Sequence, residues 1–288
     1  MQQTFDLMTS RWKRAYLFTA LLALFSVLSA GANSGWQLLA PGMELRRLKT
    51  SVPGTVGDSQ IVILRMDPDL WQLEFVGTGN SGESSHTARA WSEAHHFVAA
   101  INAGMFDTDG KTHLGYLRFR GQVSNGRAND YKSVAAFDPA DTKRSPRFHI
   151  FDLEGSTDLN YILKDYSSAV QNLRLIKRPG ENQWSRQIKK WSEAALGEDS
   201  AGHILFIFCR TPFTMHDLNQ ELLSAGIGLV AAQHLEGGPE AQLYVHAGDV
   251  ELELFGSYET AFREDDSNGI AWPVPNVLGV RPRTKSGH

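Results

Sequence analysis

The sequence predicts an α+β fold, a single domain in which a large mixed, curved β-sheet is flanked by helices. Three observations lead there. Strand-like runs outnumber helical ones and do not alternate with them as in a doubly wound sheet. One strand–helix–strand unit stands late in the chain. No internal repeat, low-complexity tract or Pro/Ser linker divides the sequence.

Residues 61–66 and 71–76 read as strands, the second alternating apolar and polar side chains. Asp67-Pro68-Asp69 between them suggests a hairpin. Residues 87–95 read as a short helix, with Thr87 as N-cap and Ala88, Trp91 and Ala94 at helical spacing. Residues 97–101 form a buried strand that delivers Asn102 and Asp107 at its end. Further strands are predicted at 114–120 and 133–137, with a turn at Ser124-Asn125-Gly126 between them, and at 147–153 and 169–176. Residues 177–184 are a polar loop around Pro179-Gly180. Residues 203–209 are a strand, and Thr214 then caps a helix carrying Met215, Leu218, Leu222 and Leu223, with Asp217 at its third position. Gly226 and Gly228 end that helix, and residues 229–233 lead into Glu236. A crossover of this kind sets the last strand parallel to the first.

The ends carry a different signal. Arg11, Lys13 and Arg14 precede an uncharged run at 15–30, and Ala30-Gly31-Ala32 offers small residues for cleavage. The expectation is a signal peptide at 1–32, cut after Ala32, a domain at 33–280, and a flexible basic tail at 281–288. The protein is then periplasmic or secreted, touching a membrane only through the signal segment if that stays uncleaved. Removing 1–32 takes away three cations and one anion, so the whole chain's net charge of −4 becomes −6. That balance argues against nucleic acid as a partner. The chain has one cysteine, Cys209, so no intramolecular disulfide forms, and its apolar surroundings read as a buried structural thiol.

Ten histidines raise the question of a metal site, but His95 and His96 are adjacent and no H-x-x-x-H pair or cysteine cluster exists. No metal ligand and no cofactor is expected. Asp107-x-Asp109-Gly110 lacks the rest of a calcium loop, and a turn explains it as well. There is no G-x-S-x-G and no glycine-rich phosphate loop. What remains is two stretches where carboxylates meet glycine at the end of an apolar strand, 101–107 and 234–240. Each is open to two readings: a solvated strand-ending turn, or one wall of a polar cleft in which Glu236, Glu240, Asn102 and Asp107 converge.

At these stretches the chain resembles the phosphodiester glycosidase family. Asn102-Ala103-Gly104-Met105-Phe106-Asp107 is similar to that family's N-G-G-F-F-like segment, and Gly115-Tyr116 lies where a following glycine falls. Glu193-Ala194-Ala195-Leu196-Gly197 resembles its R-T-A-I-G-like segment, and Glu236-Gly237-Gly238-Pro239-Glu240-Ala241 its D-G-G-G-S. Glutamate stands at the arginine of the third motif and at the aspartate of the fourth, and the final Gly-Ser is absent. The resemblance implies a divergent exported bacterial hydrolase of a glycosidic bond, with a sugar-1-phosphodiester of an envelope or extracellular polysaccharide as its substrate. Glu236 is then the acid/base, Asp107 the second carboxylate, and Glu193 a rival for either role. Asn102 and Glu240 would bind sugar hydroxyls, and Arg186 the anionic leaving group. Gly104, Gly237 and Gly238 would leave room for the ring. The altered motif positions favour a rival reading, a non-catalytic carbohydrate-binding or envelope-assembly protein on the same fold.

Overall fold

The apolar runs, rich in Ile, Val, Phe and Leu, extend because branched and aromatic side chains pack well on a pleated surface. The computed structural model describes residues 35–284. The segment read as a signal peptide, 1–32, lies outside the described residues, as do the last four positions of the tail. Contacts divide the chain between Trp36 and Gln37, and the fold described is that of the second unit.

The large sheet runs β1 (Trp36–Ala40), β2 (Met43–Lys49), β3 (Gln60–Met66), β12 (Ile204–Phe213), β11 (Trp191–Asp199), β13 (Leu229–Gly237), β10 (Tyr166–Ile176), β6 (Leu117–Phe119) and β7 (Gln122–Asn125). From β10 it also branches to β8 (Ser133–Pro139) and β9 (Phe148–Asp152). The small sheet runs β15 (Val250–Phe255), β14 (Gln242–Ala247), β5 (Ala99–Asn102), β16 (Asn276–Pro282) and β4 (Trp71–Gly77). One apolar core joins them. Leu64, Phe206, Leu196 and Leu235 from the large sheet meet Leu73, Ile101, Leu243 and Leu278 from the small one, all buried. This is sheet-on-sheet packing.

Among the described residues, three helices of seven or more residues lie against the strands: α1 (Ala88–His95), α2 (Leu159–Asp165) and α3 (Met215–Ser224). Thr87 caps α1 by accepting from Ala90 N, and Trp91 then packs with Val76, Ala100, Tyr244 and Val277, a cluster apart from the inter-sheet core. Thr214 accepts from Asp217 N at the start of α3.

The fold is therefore mostly β, and it corrects the predicted single mixed sheet. Two sheets take its place, and every strand pair with a defined register is antiparallel. The late strand–helix–strand unit explains how a parallel signal arose. β12 and β13 do run in the same direction, but β11 lies between them and pairs antiparallel with both. The predicted hairpin at 67–69 is also not one. β3 pairs with β2 and β12 while β4 pairs with β16, so the turn carries the chain from one sheet to the other. The turn expected at 124–126 falls earlier, at Arg120 and Gly121, both with positive φ. The last strand runs to Pro282, two residues into the segment read as tail.

Gly279 marks the tightest packing in β16. A Cβ there would stand 2.1 Å from Phe97 Cδ2. Phe97 is nearly buried and carries the Arg281 guanidinium over its ring at 5.0 Å, so it has little freedom to retreat. Gly279→Ala is expected to destabilise by about 1–3 kcal/mol. Urea unfolding checks this, and an unchanged midpoint would show that the ring gives way freely.

Candidate active site

Five ionisable side chains gather at the end of β13. The sheet register places Ala195 opposite His234, Ala194 opposite Glu236 and Glu193 opposite Gly237. Leu235 is the extra residue of a β-bulge, which interrupts strict alternation along the strand and re-aims the side chains beside it. His234 Nδ1 lies 2.6 Å from Glu193 Oε1, and Trp191 Nε1 donates to Glu193 Oε2 at 2.8 Å. Both oxygens of Glu193 are thus engaged. The His234 and Glu193 side chains are 5% and 2% exposed, which makes this a buried pair.

Burial by itself lowers the pKa of His234. The charge and hydrogen bond of Glu193, helped by Glu236 and Glu259, outweigh that and leave the imidazole above its ordinary value. Glu236 moves the other way from a normal carboxylate. Burial pushes it up to about 8, with smaller upward contributions from Glu240 and Glu259, against the downward pull of His234 and of the Gly237 N–H. That N–H donates to Glu236 Oε1 at 3.0 Å. Glu240 and Glu259 are also raised, each chiefly by burial. Burial and then the charges of Asp130 and Glu236 raise the Tyr131 phenol. At neutral pH the cluster therefore offers a protonated carboxyl, the form a general acid needs.

The sequence-predicted residues divide. Glu236, Glu193, Glu240, Gly237 and Gly238 come together here. Asn102 joins them as a clasp: its Nδ2 donates to Glu240 O at 2.9 Å and its Oδ1 accepts from Gln242 N at 2.7 Å. Being 1% exposed, it holds the backbone of the Glu240 turn instead of presenting its amide to a ligand. The two glycines are needed, though the room is used by the protein itself. A Cβ on Gly237 would stand 2.7 Å from the Trp191 ring, and one on Gly238 2.6 Å from Glu259 Oε2. Gly104, at φ +150°, allows Asn172 and His113 to approach in the same way.

Asp107 is exposed and caps its own turn, accepting from Thr108 N and Thr108 Oγ1. Arg186 is exposed on the loop leading into β11. The cations near that end of the loop are Lys189, whose charge acts on Glu259, and Lys190, which lies over the Tyr258 ring at 5.3 Å. Sequence reasoning did not single out Glu259, Trp191, His234 or Lys189. His234 had a usable signal, since it stands two residues before Glu236 on an apolar strand. Glu259 had none, because its place depends on a bridge between Trp191 and Glu259 that only the folded chain makes. Among the described residues, no three of His, Cys, Asp and Glu are grouped so as to hold a metal ion. Cys209 is buried, and burial, with Asp58 and Glu193 adding, pushes its thiol well up, as suits a structural residue.

A profile of the phosphodiester glycosidase family matches residues 95–281. Comparison with curated protein sequences finds no match. Among solved structures, the chain is similar to the catalytic domain of zebrafish N-acetylglucosamine-1-phosphodiester alpha-N-acetylglucosaminidase auto-inhibited by its pro-peptide. The TM-score is 0.62 at 14% identity, with 86% of each chain covered. It is also similar to a hypothetical protein from Synechocystis, with a TM-score of 0.53 at 13% identity, covering 85% of this chain and 63% of that one. At such identities the likeness speaks for the fold, because function belongs to the site and not to the scaffold.

Proposed function

Because this chain belongs to the phosphodiester glycosidase family, we propose that it is an exported hydrolase that cleaves the glycosidic bond of a sugar-1-phosphodiester, with Glu236 as general acid. The observation that carries this reading is the burial of the Glu236 carboxyl among His234, Glu240 and Glu259, which pushes its pKa up to about 8. It gives that proton to the leaving-group oxygen as the bond to the anomeric carbon breaks, and the sugar passes through an oxocarbenium-like state. A second carboxylate, Glu240 or Glu259, stabilises that charge or activates the attacking water. Asp107, whose Oδ1 accepts from Thr108 within an exposed turn, comes second to Glu240 and Glu259, whose charges act on Glu236. Glu193, with both oxygens engaged, acts by holding His234. The proposed cation for the departing phosphate is Lys189.

One observation favours the second reading, a carbohydrate-binding protein without catalysis. The family's arginine position is Glu193, and its pairing with His234 leaves no guanidinium there for phosphate. Hydrolysis of a panel of glycosyl phosphodiesters by the purified mature protein separates the two. The catalytic reading expects turnover that declines as pH rises past about 8, the pKa of Glu236. Measurable glycan binding with no turnover on any member would establish the second reading instead.

A further inference from the structure

Two loops at the rim of the acid cluster carry apolar side chains that the fold leaves in water. The first, 184–190, leads into β11, and the second, 256–275, joins β15 to β16. Of the eight large apolar side chains exposed among the described residues, three stand here: Ile188 at 90%, Phe262 at 62% and Ile270 at 69%. The loops are held to each other. Glu259 bridges Trp191, Thr260 N donates to Lys190 O at 3.0 Å, and Lys190 N donates to Thr260 Oγ1 at 3.0 Å. Ile188 stands two residues before Lys190 and Phe262 two residues after Thr260, so the exposed groups flank one stapled pair. Phe262 packs edge-on against the half-buried Trp272 at 6.3 Å, and Ile270 stands two residues before that tryptophan. A single exposed apolar side chain is ordinary, whereas a cluster rimmed by polar groups marks a contact surface.

The charges around the cluster select its partner. Arg186 and Lys189 are exposed, and neither makes an ion pair among the described residues. Lys190 lies over the Tyr258 ring at 5.3 Å. The second loop is acidic, but it answers most of its own charge. Asp265 pairs with Arg263 at 3.3 Å and Asp266 with Arg210 at 2.8 Å. Glu264, which accepts from Ala261 N, is left against three cations. Burial raises Glu259 toward its neutral form. The rim is therefore positive, in a chain whose net charge is −4. A basic fringe around Ile, Phe and Trp matches the interface of an anionic bilayer, where aromatic rings sit at headgroup depth and cations meet a negative surface. A protein partner fits less well, since four apolar side chains fall short of the roughly 20–30 residues a side in a stable interface. No helix among the described residues is long and apolar enough to cross a membrane, so contact through these loops is peripheral.

We propose that these two loops dock the protein on a membrane surface rich in anionic lipid. Ile188, Phe262 and Trp272 enter the headgroup layer, and Arg186 and Lys189 meet lipid phosphates. The acid cluster, which shares Glu259 with the same turn, is then held close to the bilayer. Flotation with vesicles of phosphatidylglycerol and phosphatidylcholine in equal parts tests this. The protein used is residues 33–288, which hold the whole described fold and omit the leader segment. Binding is expected to these vesicles, and binding at least tenfold weaker to phosphatidylcholine alone. It should also weaken at about 1 M salt, where charges act only within roughly 3 Å. Ile188→Ser with Phe262→Ser is expected to weaken binding at least tenfold, through the apolar surface it removes. Ile188→Ser alone should weaken binding measurably and leave the melting temperature unchanged, because that side chain is 90% exposed. No binding to the anionic vesicles would overturn the proposal, and so would equal binding by the wild type and the double variant. Dimerisation that the double variant abolishes, without vesicle binding, would assign the surface to a second copy of this chain instead. Vesicle binding lost in the double variant establishes the docking surface whether or not a glycosyl phosphodiester is turned over, so this inference and the hydrolase reading fail separately.

Discussion

Glu236→Gln is expected to lower turnover of a glycosyl phosphodiester by about a hundredfold or more, while the protein remains at least as stable as the wild type. The substitution keeps the size of the side chain and its acceptor for the Gly237 N–H, and removes the transferable proton. The stability half of the prediction follows from the sign of the pKa shift. The folded state holds the Glu236 proton to about pH 8, well above the unfolded carboxyl near 4.5. The group's contribution to stability is therefore fully present below pH 4.5 and is lost as pH rises through about 8. Glutamine has no such dependence. Its advantage over the wild type should be absent in acid, grow between pH 4.5 and 8, and level off above. Parallel activity and urea-unfolding series at several pH values check both halves. A variant with wild-type turnover would remove Glu236 from the chemistry, whatever its stability.

Glu193→Ala is expected to destabilise by about 3–5 kcal/mol, because removing one member of a buried pair leaves the other charged group without a partner. His234 and Glu193 meet at 2.6 Å, both almost fully buried, and the substitution also strands the Trp191 N–H. The loss should depend on pH. The pair raises the folded pKa of His234 above its ordinary 6.5, so its contribution is full below pH 6.5 and fades as pH climbs through the raised value. Denaturant unfolding should show the largest gap from the wild type near pH 6, shrinking as pH climbs through the raised value. Glu193→Gln, which keeps an acceptor but not the charge, should fall between. A loss below about 1 kcal/mol for Glu193→Ala, of the size usual for an exposed ion pair, would show that the pair does not hold the site together.

Strand positions were legible in the sequence wherever an apolar run stood between turn residues, as at 61–66, 71–76 and 204–209. Strand partners were not, because a hydrophobic pattern says that a segment is buried and leaves open against which neighbour. The turn at 67–69 reads equally well as a hairpin or as a passage between two sheets. β11 escaped notice because Ser192, Glu193 and Gly197 break its apolar run. All three are nevertheless buried or constrained: Ser192 Oγ donates to Arg210 O, Glu193 is paired, and a Cβ on Gly197 would lie 2.8 Å from Leu229 Cδ1. β14, β15 and β16 also went unread, although β14 and β16 supply much of the buried small sheet.

The site was half legible. Glu236, Glu240 and the two glycines came from local sequence, where a carboxylate and glycine follow an apolar strand, and Glu193 came from the family resemblance. Glu259 and Trp191 reach the cluster from segments far apart in sequence, through contacts that no motif encodes. Asp107 shows the opposite case. Its motif position suggested chemistry, and the fold places it on an exposed turn where its Oδ1 accepts from Thr108 N and Oγ1.

As the general acid, Glu236 must carry its proton at neutral pH. The most direct measurement is the titration of its side-chain carboxyl by carbon-13 NMR in protein labelled at glutamate, with Glu236→Gln identifying the resonance. A single glutamate signal is expected to titrate near pH 8 and to be missing from the variant. A Glu236 signal already ionised by pH 6, with a midpoint in the ordinary glutamate range, would contradict it.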